Sequence, residues 1–600
     1  MKVAASRSQQ TLGVLMIVAA LLYLMPFVPR GWFPHDEGML GQSAERVMHG
    51  AIPHLDYEEV YTGGLSWAYA AVFRLAGIEL LHVRQFLFAG ASLAAWLMYS
   101  ILRRFLAPMG AALATWVGVG WSFPNYFAGL PSWWLLVCAL SCVWAFTRHV
   151  ETGRWRYVVA AGLSVGVAIA VKQTGLYLLV ALVLALLYDG GRSARGTSPV
   201  VSIERWARWG AAGIASVMAA AVLAPRIFSA EGLYLFCPVA ACTAVLFVRF
   251  ERGTDSSSPL VLVCIATTVA AVPLACLLMP YALRHRLWDF VNGTILLPQK
   301  RLTFASRDML GAWKIVAGLP LLALVFTTPR SGAGPPSTAM TSLLWAAAIL
   351  WPVAALWDAT IYQTIWQSSR AFAALLPLGV CWRLASGGVK DAAQRSVLFA
   401  SAAMLAWTSL NQFPFAAPIY FSYVAPLAVV GGVAAASAEG TLRRQTMIPW
   451  AIVLLLFAVL GTNREFPGPL GEQHVPVVFD SPLNLPRAHL TVTGGDAEEY
   501  RRLVFAIERR LRGGLLIAGP DCPEVYFLSG LSNPSGASFD FFSENAADRE
   551  NPMAAWSKGE VIVLNHRPSF SPPPSEELLA GLRHEFAQGE EIGRFEIRWR

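Results

Sequence analysis

Asp36 and Glu37 form an adjacent acidic pair in HDEGMLGQSAERVMHGAIPHLDY, and Asp56, Glu58 and Glu59 follow further along. This stretch comes directly after a hydrophobic span from Thr11 to Pro29, which Lys2 and Arg7 precede. Basic residues ahead of a first span bias its start to the cytoplasm, so the acidic loop is expected on the outer face. A carboxylate held at the outer rim of a membrane bundle suits proton abstraction from an exported hydroxyl. The plainer role for Asp36–Glu37 is to cap a helix starting near Gly38, because carboxylates are favoured at helix N-termini. For Asp56, Glu58 and Glu59 the choice lies between orienting a substrate and forming a hydrated acidic patch.

A second chemistry-bearing stretch is PYALRHRLWDFVNGTILLPQKRLTFASRDM at 280–309, with Arg284, Arg286, Lys300, Arg301 and Arg307. By alternation of loops this segment should also face outward, where strong cations are avoided. A phosphate group at the lipid–water boundary would explain them, since it accepts bidentate Arg bonds and offsets their charge. Trp288, Phe290 and Leu296–Leu297 are interleaved and suit the path of a lipid tail. The simpler reading is contact with ordinary head groups. His35, His49 and His54 have no regular ligand spacing, so no metal is assigned and a divalent ion is not expected as cofactor. Seven of the eight cysteines lie in apolar stretches, and no zinc or disulfide framework is visible.

The elements that must position these groups are membrane spans. Apolar residues make up 56% of the 600 and charged residues 14%, against about 25% charged in soluble globular chains. The net charge of +8 does not imply a nucleic-acid partner, because most Arg lies in short loops where topology accounts for it. Apolar runs recur from Thr11 to Gly461, giving an α-helical polytopic membrane protein of about 13–15 spans. Breaks at Arg103–Arg104, Arg148 to Arg156, Arg192 to Arg208, Arg249 to Arg252, Lys390 to Arg395 and Arg443–Arg444 fit the cytoplasmic side. SFPNYFAGLPS and NQFPFAAPIY contain no basic residue and fit the outer side. The run from Tyr157 to Asp189 has Lys172 in its middle. A lone Lys at the bilayer centre costs about 2.5–3.5 kcal/mol, so two short spans turning near Lys172-Gln173-Thr174-Gly175 are expected, with Lys172 at the outer rim. Trp133–Trp134, Trp351, Trp357 and Trp366 read as interfacial belt residues.

From 463 onward the chain is polar. GGDAEEYRRLVFAIERRL and SEELLAGLRHEF read as helices, and GLLIAGPD, EVIVLNH and RFEIRWR as strands of a small α/β domain. The expected division is a membrane domain at 1–462, with outer loops at 30–83 and 280–309, and an exported domain at 463–600.

An acidic pair in the first outer loop, many spans, a basic outer loop and an exported tail together resemble the GT-C glycosyltransferases that use polyprenyl-phosphate-linked sugars. The pattern is most similar to the bacterial branch of protein O-mannosyltransferases and lipid A aminoarabinose transferases, and best over residues 32–190. HDEGMLGQSAERVMHGAIPHLDY looks like that family's acidic pair, small-residue helix and G-x-x-P turn. SWAYAAVFRLAGIELLHVR resembles its re-entrant helices, GLSVGVAIAVKQTGLYLL its Gly-spaced run ending in Lys, and APIYFSYVAPLAV its late Tyr/Pro segment. Relatives often carry an aromatic or basic residue soon after the acidic pair, whereas Gly38-Met39-Leu40 follow here.

The resemblance implies an inverting glycosyltransferase in the cytoplasmic (inner) membrane, with its C-terminal domain on the periplasmic side. Asp36 would be the general base, Glu37 its neighbour, and Lys172 a group at the cavity rim. Its partners would be a polyprenyl-phosphate sugar donor, a lipid, glycan or protein acceptor, and membrane lipid. Metal use varies between branches. Two readings from other classes are a transporter of lipid-linked sugars and a non-enzymatic membrane anchor that displays the tail.

Overall fold

A computed structural model describes residues 6–190, 199–247, 258–326, 358–438, 478–542 and 552–600, with a few positions in 342–354. The basic breaks at 192–195, 249–252 and 443–444, with Trp351 and Trp357, lie outside the described residues. Among the described residues six helices are long and apolar enough to cross a membrane. They are Arg7–Phe27, Leu80–Leu102, Pro131–Thr152, Gln173–Gly190, Ile203–Arg226 and Pro259–Leu283. Shorter apolar helices, such as Arg156–Val171 and Ala425–Ala438, pack among them.

Local chemistry sets the boundaries of these helices. Pro opens Pro34–Met48, Pro108–Gly120, Pro131–Thr152 and Pro259–Leu283, where its missing N–H costs nothing. Asp358 and Asp391 cap their helices by accepting from the N–H groups of Thr360 and Gln394, each at 2.6 Å. Small residues let helices close on one another. A Cβ at Gly162 would stand 2.5 Å from the Ala266 carbonyl oxygen, and one at Gly166 2.4 Å from that of Ala270. Helix Arg156–Val171 therefore meets Pro259–Leu283 backbone to backbone, the small-xxx-small device of membrane bundles.

The chain breaks where Lys172 requires it. Arg156–Val171 ends, Lys172 is extended at φ −157° and ψ 138°, a single turn spans Gln173–Gly175, and Leu176–Gly190 begins. Two short helices, as expected, keep the ammonium out of an apolar helix interior.

The first loop holds two helices of its own, Pro34–Met48 and Gly64–Ala76. The C-terminal region has a two-stranded ladder, β1 (Ser481–Pro482) with β2 (Thr491–Val492), and a four-stranded sheet. Sheet order is β3-β4-β6-β5: β3 (Leu516–Gly519) runs parallel to β4 (Val561–Asn565), which pairs antiparallel with β6 (Phe595–Trp599). β5 (Gln588–Ile592) lies on the outer edge. Helices Gly494–Arg510 and Glu576–Glu585 complete the α/β region. Each expected element of the tail is present, and β1, β2, β5 and a short helix at Pro523–Ser529 are among the additions.

This tail sits on the same face as the acidic loop. Helix Pro523–Ser529 packs on Pro34–Met48, with Gly38 against the Glu524 backbone and Gly41 against the Phe527 ring. Arg46 donates to the carbonyls of Gly536 and Asn533 at 2.9 and 2.8 Å. Arg487 pairs with Glu45 at 2.6 Å, and Gly31 and Thr491 tie the two backbones together. A side chain after Glu37 would collide with the tail, which accounts for Gly38 in this chain.

Candidate active site

Asp36 lies in the first turn of Pro34–Met48, held there by Pro34 at the helix start. Tyr126, from the cation-free break before Pro131–Thr152, donates its hydroxyl to Asp36 Oδ2. Burial first, and the Asp36 charge second, raise the Tyr126 phenol well above its ordinary value, so it stays a donor. The Trp133 indole N–H fixes the Tyr126 carbonyl at 2.9 Å, and Phe33 stacks on the Tyr126 ring. His35 Nε2 stands 3.6 Å from Asp36 Oδ2, and the Asp36 side chain keeps 19% of its surface exposed. The carboxylate is therefore anchored at one oxygen and still reachable.

Glu37 has a different assignment. Its oxygens receive Arg84 Nε at 2.6 Å and Nη2 at 2.7 Å, and the Phe33 N–H at 2.9 Å. Arg84 also donates to the carbonyls of Val28, Arg30 and Gly31. Both side chains are fully enclosed. Expected beside Asp36 as a member of a reactive pair, Glu37 instead locks the loop to helix Leu80–Leu102. Such a pair is costly to break because the remaining charge is left buried.

Two cations from other elements meet at Tyr61, and one of them, Arg301, interacts with Asp36. Lys172 Nζ donates to Ser132 Oγ at 3.0 Å and lies over the rings of Tyr61 and Tyr420, 5.6 and 5.8 Å from their centroids. The Arg301 guanidinium lies over Tyr61 at 5.4 Å, hydrogen-bonds its hydroxyl, and is close enough to Asp36 to feel its charge. Burial raises the Tyr61 phenol, with Arg301 opposing and Asp36 adding to the rise. Tyr61 is aimed by buried Glu59, which accepts from Ser66 Oγ at 2.7 Å, Tyr57 Oη at 3.2 Å and the Val60 N–H at 2.9 Å. Gly63, at φ +90°, then turns the chain into helix Gly64–Ala76.

The remaining site candidates fall elsewhere. Asp56 is exposed and closes a local turn by accepting from the Ile52 N–H at 2.7 Å. The Glu58 backbone N–H joins the tail at Gly536 O, 3.1 Å away. Within the basic loop the five cations do not form one patch. Arg286 makes a two-pronged pair with Asp289, both contacts at 2.6 Å, and Arg284 is exposed at the end of Pro259–Leu283. Both therefore stand apart from the Asp36 cluster: salt-bridged or solvated guanidiniums gain little from turning inward. Arg307 is placed by a backbone bridge to Phe415, near buried Arg370, and Lys300 is half-buried beside Arg301. Trp288 and Leu296 are exposed, whereas Phe290 and Leu297 pack inward. Tyr281 Oη donates to the Pro53 carbonyl at 2.7 Å, which fixes the basic loop to the acidic one.

The three histidines do not converge. His35 faces Ser569 and Phe570 of the tail, His54 packs on Phe290, and His49 ends helix Pro34–Met48. No group of metal-ligating side chains occurs among the described residues. Tyr61, Tyr126 and Tyr420 join the site without having been named as site residues from the sequence. Tyr126 and Tyr420 stand in the two breaks that lack any basic residue, and Tyr420 also lies in the segment APIYFSYVAPLAV that carried part of the resemblance.

Residues 64–204 match the family model described as dolichyl-phosphate-mannose-protein mannosyltransferase. Among solved structures the chain is similar to ArnT from Cupriavidus metallidurans bound to undecaprenyl phosphate. That match has 12% identity and a TM-score of 0.45, covering 98% of this chain and 97% of the other. It is also similar to the archaeal oligosaccharyltransferase AglB from Archaeoglobus fulgidus in complex with an inhibitory peptide and a dolichol-phosphate. There the identity is 12% and the TM-score 0.43, over 93% and 70% of the two chains. No curated protein matches in sequence. With a family match that overlaps the stretch at 32–190 carrying the resemblance, this chain is similar to the GT-C polyprenyl-phosphate-sugar glycosyltransferases.

Proposed function

We propose that this protein is an integral-membrane inverting glycosyltransferase. It moves a sugar from a polyprenyl-phosphate donor to an exported acceptor at the outer face of the cytoplasmic membrane. The observation that carries the reading is that Lys172 and Arg301, brought from separate elements, both lie over Tyr61, while Tyr61 and Arg301 feel the charge of one accessible carboxylate, Asp36. A transporter would need the cations but no positioned base.

Asp36 takes the proton of the acceptor hydroxyl, whose oxygen attacks the anomeric carbon from the face opposite the phosphate. The bond from that carbon to the phosphate oxygen breaks, its electron pair leaves with polyprenyl phosphate, and the configuration inverts. Arg301 and Lys172 stabilise the charge that develops on the leaving phosphate. Tyr126 keeps one oxygen of Asp36 fixed so that the other faces the acceptor. Membrane domain 1–462 holds the donor, and domain 463–600 covers the site mouth on the acceptor side.

The test is to incubate purified protein with a panel of polyprenyl-phosphate sugars and candidate acceptors. Release of polyprenyl phosphate with formation of a glycosylated product is expected for one donor class, hexosyl or pentosyl. Transmembrane movement of a lipid-linked sugar without cleavage would overturn the proposal in favour of transport.

A further inference from the structure

His35 stands between Asp36 and the tail, and its two ring nitrogens face different partners. It occupies the first turn of Pro34–Met48, directly before Asp36. Nε2 lies 3.6 Å from Asp36 Oδ2, and Nδ1 lies 3.2 Å from Ser569 Oγ in the tail. Phe570 meets the imidazole edge to face at 5.4 Å and Phe539 does so at 6.4 Å, so rings from the tail hold its plane. Ser569 sits beside a tethered strip. Asp521 Oδ2 accepts the Phe570 and Ser571 N–H groups at 2.8 and 2.7 Å, and Asp521 Oδ1 accepts from Ser571 Oγ at 2.7 Å.

The partners decide where the imidazole proton sits. An ionised carboxylate can only accept, whereas a hydroxyl can donate or accept. Nε2, which faces the carboxylate, therefore carries the proton, and Nδ1 accepts from the Ser569 hydroxyl. The hydrogen bond at one ring nitrogen sets the role of the other. Tyr126 already donates to the same Asp36 oxygen. With His35 turned toward it as well, Oδ2 is held from two sides, and Oδ1 is the oxygen that takes the acceptor proton.

We infer that His35 is a positioning residue for Asp36, kept in its working tautomer by Ser569, so that the tail completes the catalytic group as well as covering it. This role rests on the reading of Asp36 as the base. Catalytic hydrogen bonds are often long in the free enzyme and tighten once substrate is bound, which is how the 3.6 Å separation closes. A role in packing alone would need the ring but neither nitrogen.

Two measurements on the full chain in nanodiscs test it. Nitrogen NMR of histidine-labelled protein at about pH 8, where an ordinary imidazole is neutral, reads the tautomer without any substrate. The signals that His35→Phe removes should show the proton on Nε2 in the wild type, and on either nitrogen in Ser569→Ala. Transfer kinetics with a polyprenyl-phosphate hexose are the second measurement. His35→Phe keeps a ring and should lower kcat at least about tenfold with donor KM unchanged, the loss of a hydrogen bond to a charged group. Ser569→Ala should lower kcat by about 2–12-fold, and Ser569→Thr, which restores the hydroxyl, should recover it. Adding Ser569→Ala to His35→Phe should cost no more than about twofold further, because Ser569 acts through His35. A proton on Nδ1 in the wild type, a smaller loss in His35→Phe, or an effect on donor KM in place of kcat would overturn the role of His35. Absence of transfer by the wild type with every donor would instead remove the reading of Asp36, while the tautomer still tests the hold of Ser569 on His35.

Discussion

At the scale of single residues, the basic loop separates into cations that face the site and cations that do not. Arg301 bonds Tyr61 and feels the charge of Asp36, whereas Arg286 is already neutralised by Asp289. Arg301→Gln should weaken donor use by roughly 10–150-fold, the loss of a charge-assisted hydrogen bond of about 1.5–3 kcal/mol. Arg286→Gln should change it by less than about fivefold, because exposed pairs contribute at most about 1 kcal/mol. Donor titrations at saturating acceptor separate the two. Similar losses in both variants would contradict the assignment of Arg301. The sequence exposed the excess of cations in this loop, but it gave no means of ranking them. Their ranking depends on Tyr61 and Asp36, some 240 and more positions away in the chain.

At the scale of elements, Pro523–Ser529 packs closely on Pro34–Met48, the helix that carries Asp36. A Cβ on Gly38 would come within 2.3 Å of the Glu524 backbone, so Gly38→Leu must force the two helices apart. Hydrogen exchange at 523–529 should quicken, and transfer should fall at least about tenfold, since small misplacements of a catalytic group are costly. Gly495→Ala, which meets nothing within 4 Å, should alter neither. Unchanged exchange and transfer in Gly38→Leu would show that the contact does not position Asp36. Much at this scale was legible in advance. Lys172 in an apolar run demanded the break now seen between Val171 and Gln173, and hydrophobic periodicity located helix Gly494–Arg510 and strands β3, β4 and β6. Strand β5 was not legible. Its sequence QGEEI is polar and largely exposed, so it has no apolar alternation and exists because β6 offers an unpaired edge. Arg46 bonding Gly536 was equally hidden, because nothing in local sequence links such distant positions.

At the scale of the whole molecule, the tail is fastened to both functional loops. Gly38 and Gly41 seat it on the acidic helix, and Phe304 of the basic segment meets Phe541 at 5.4 Å. Behind that contact, Asp521 holds the 570–571 backbone and accepts from Ser571 Oγ at 2.7 Å. Burial pushes the neighbouring Asp540 carboxyl up to about 6, against the hydrogen bond it accepts from the Asp521 N–H, and the Asp521 charge adds to the rise. A raised folded value means the native state holds the proton more tightly. The contribution, about 3 kcal/mol, is therefore complete below an unfolded value near 3.8 and is lost as pH rises through about 6. Exchange protection of the tail sheet, corrected for intrinsic rates, should fall between pH 5 and 7 in the wild type and stay level in Asp540→Asn. Equal slopes would exclude Asp540 as the titrating group. The central claim, that Asp36 is the base of a glycosyl transfer, is tested most directly by single-turnover kinetics of Asp36→Asn with a polyprenyl-phosphate sugar. The amide preserves shape but cannot take the proton, so the account predicts a rate lower by about 10²–10⁴-fold, with donor affinity and thermal stability close to wild type. A rate within a few-fold of wild type would contradict it.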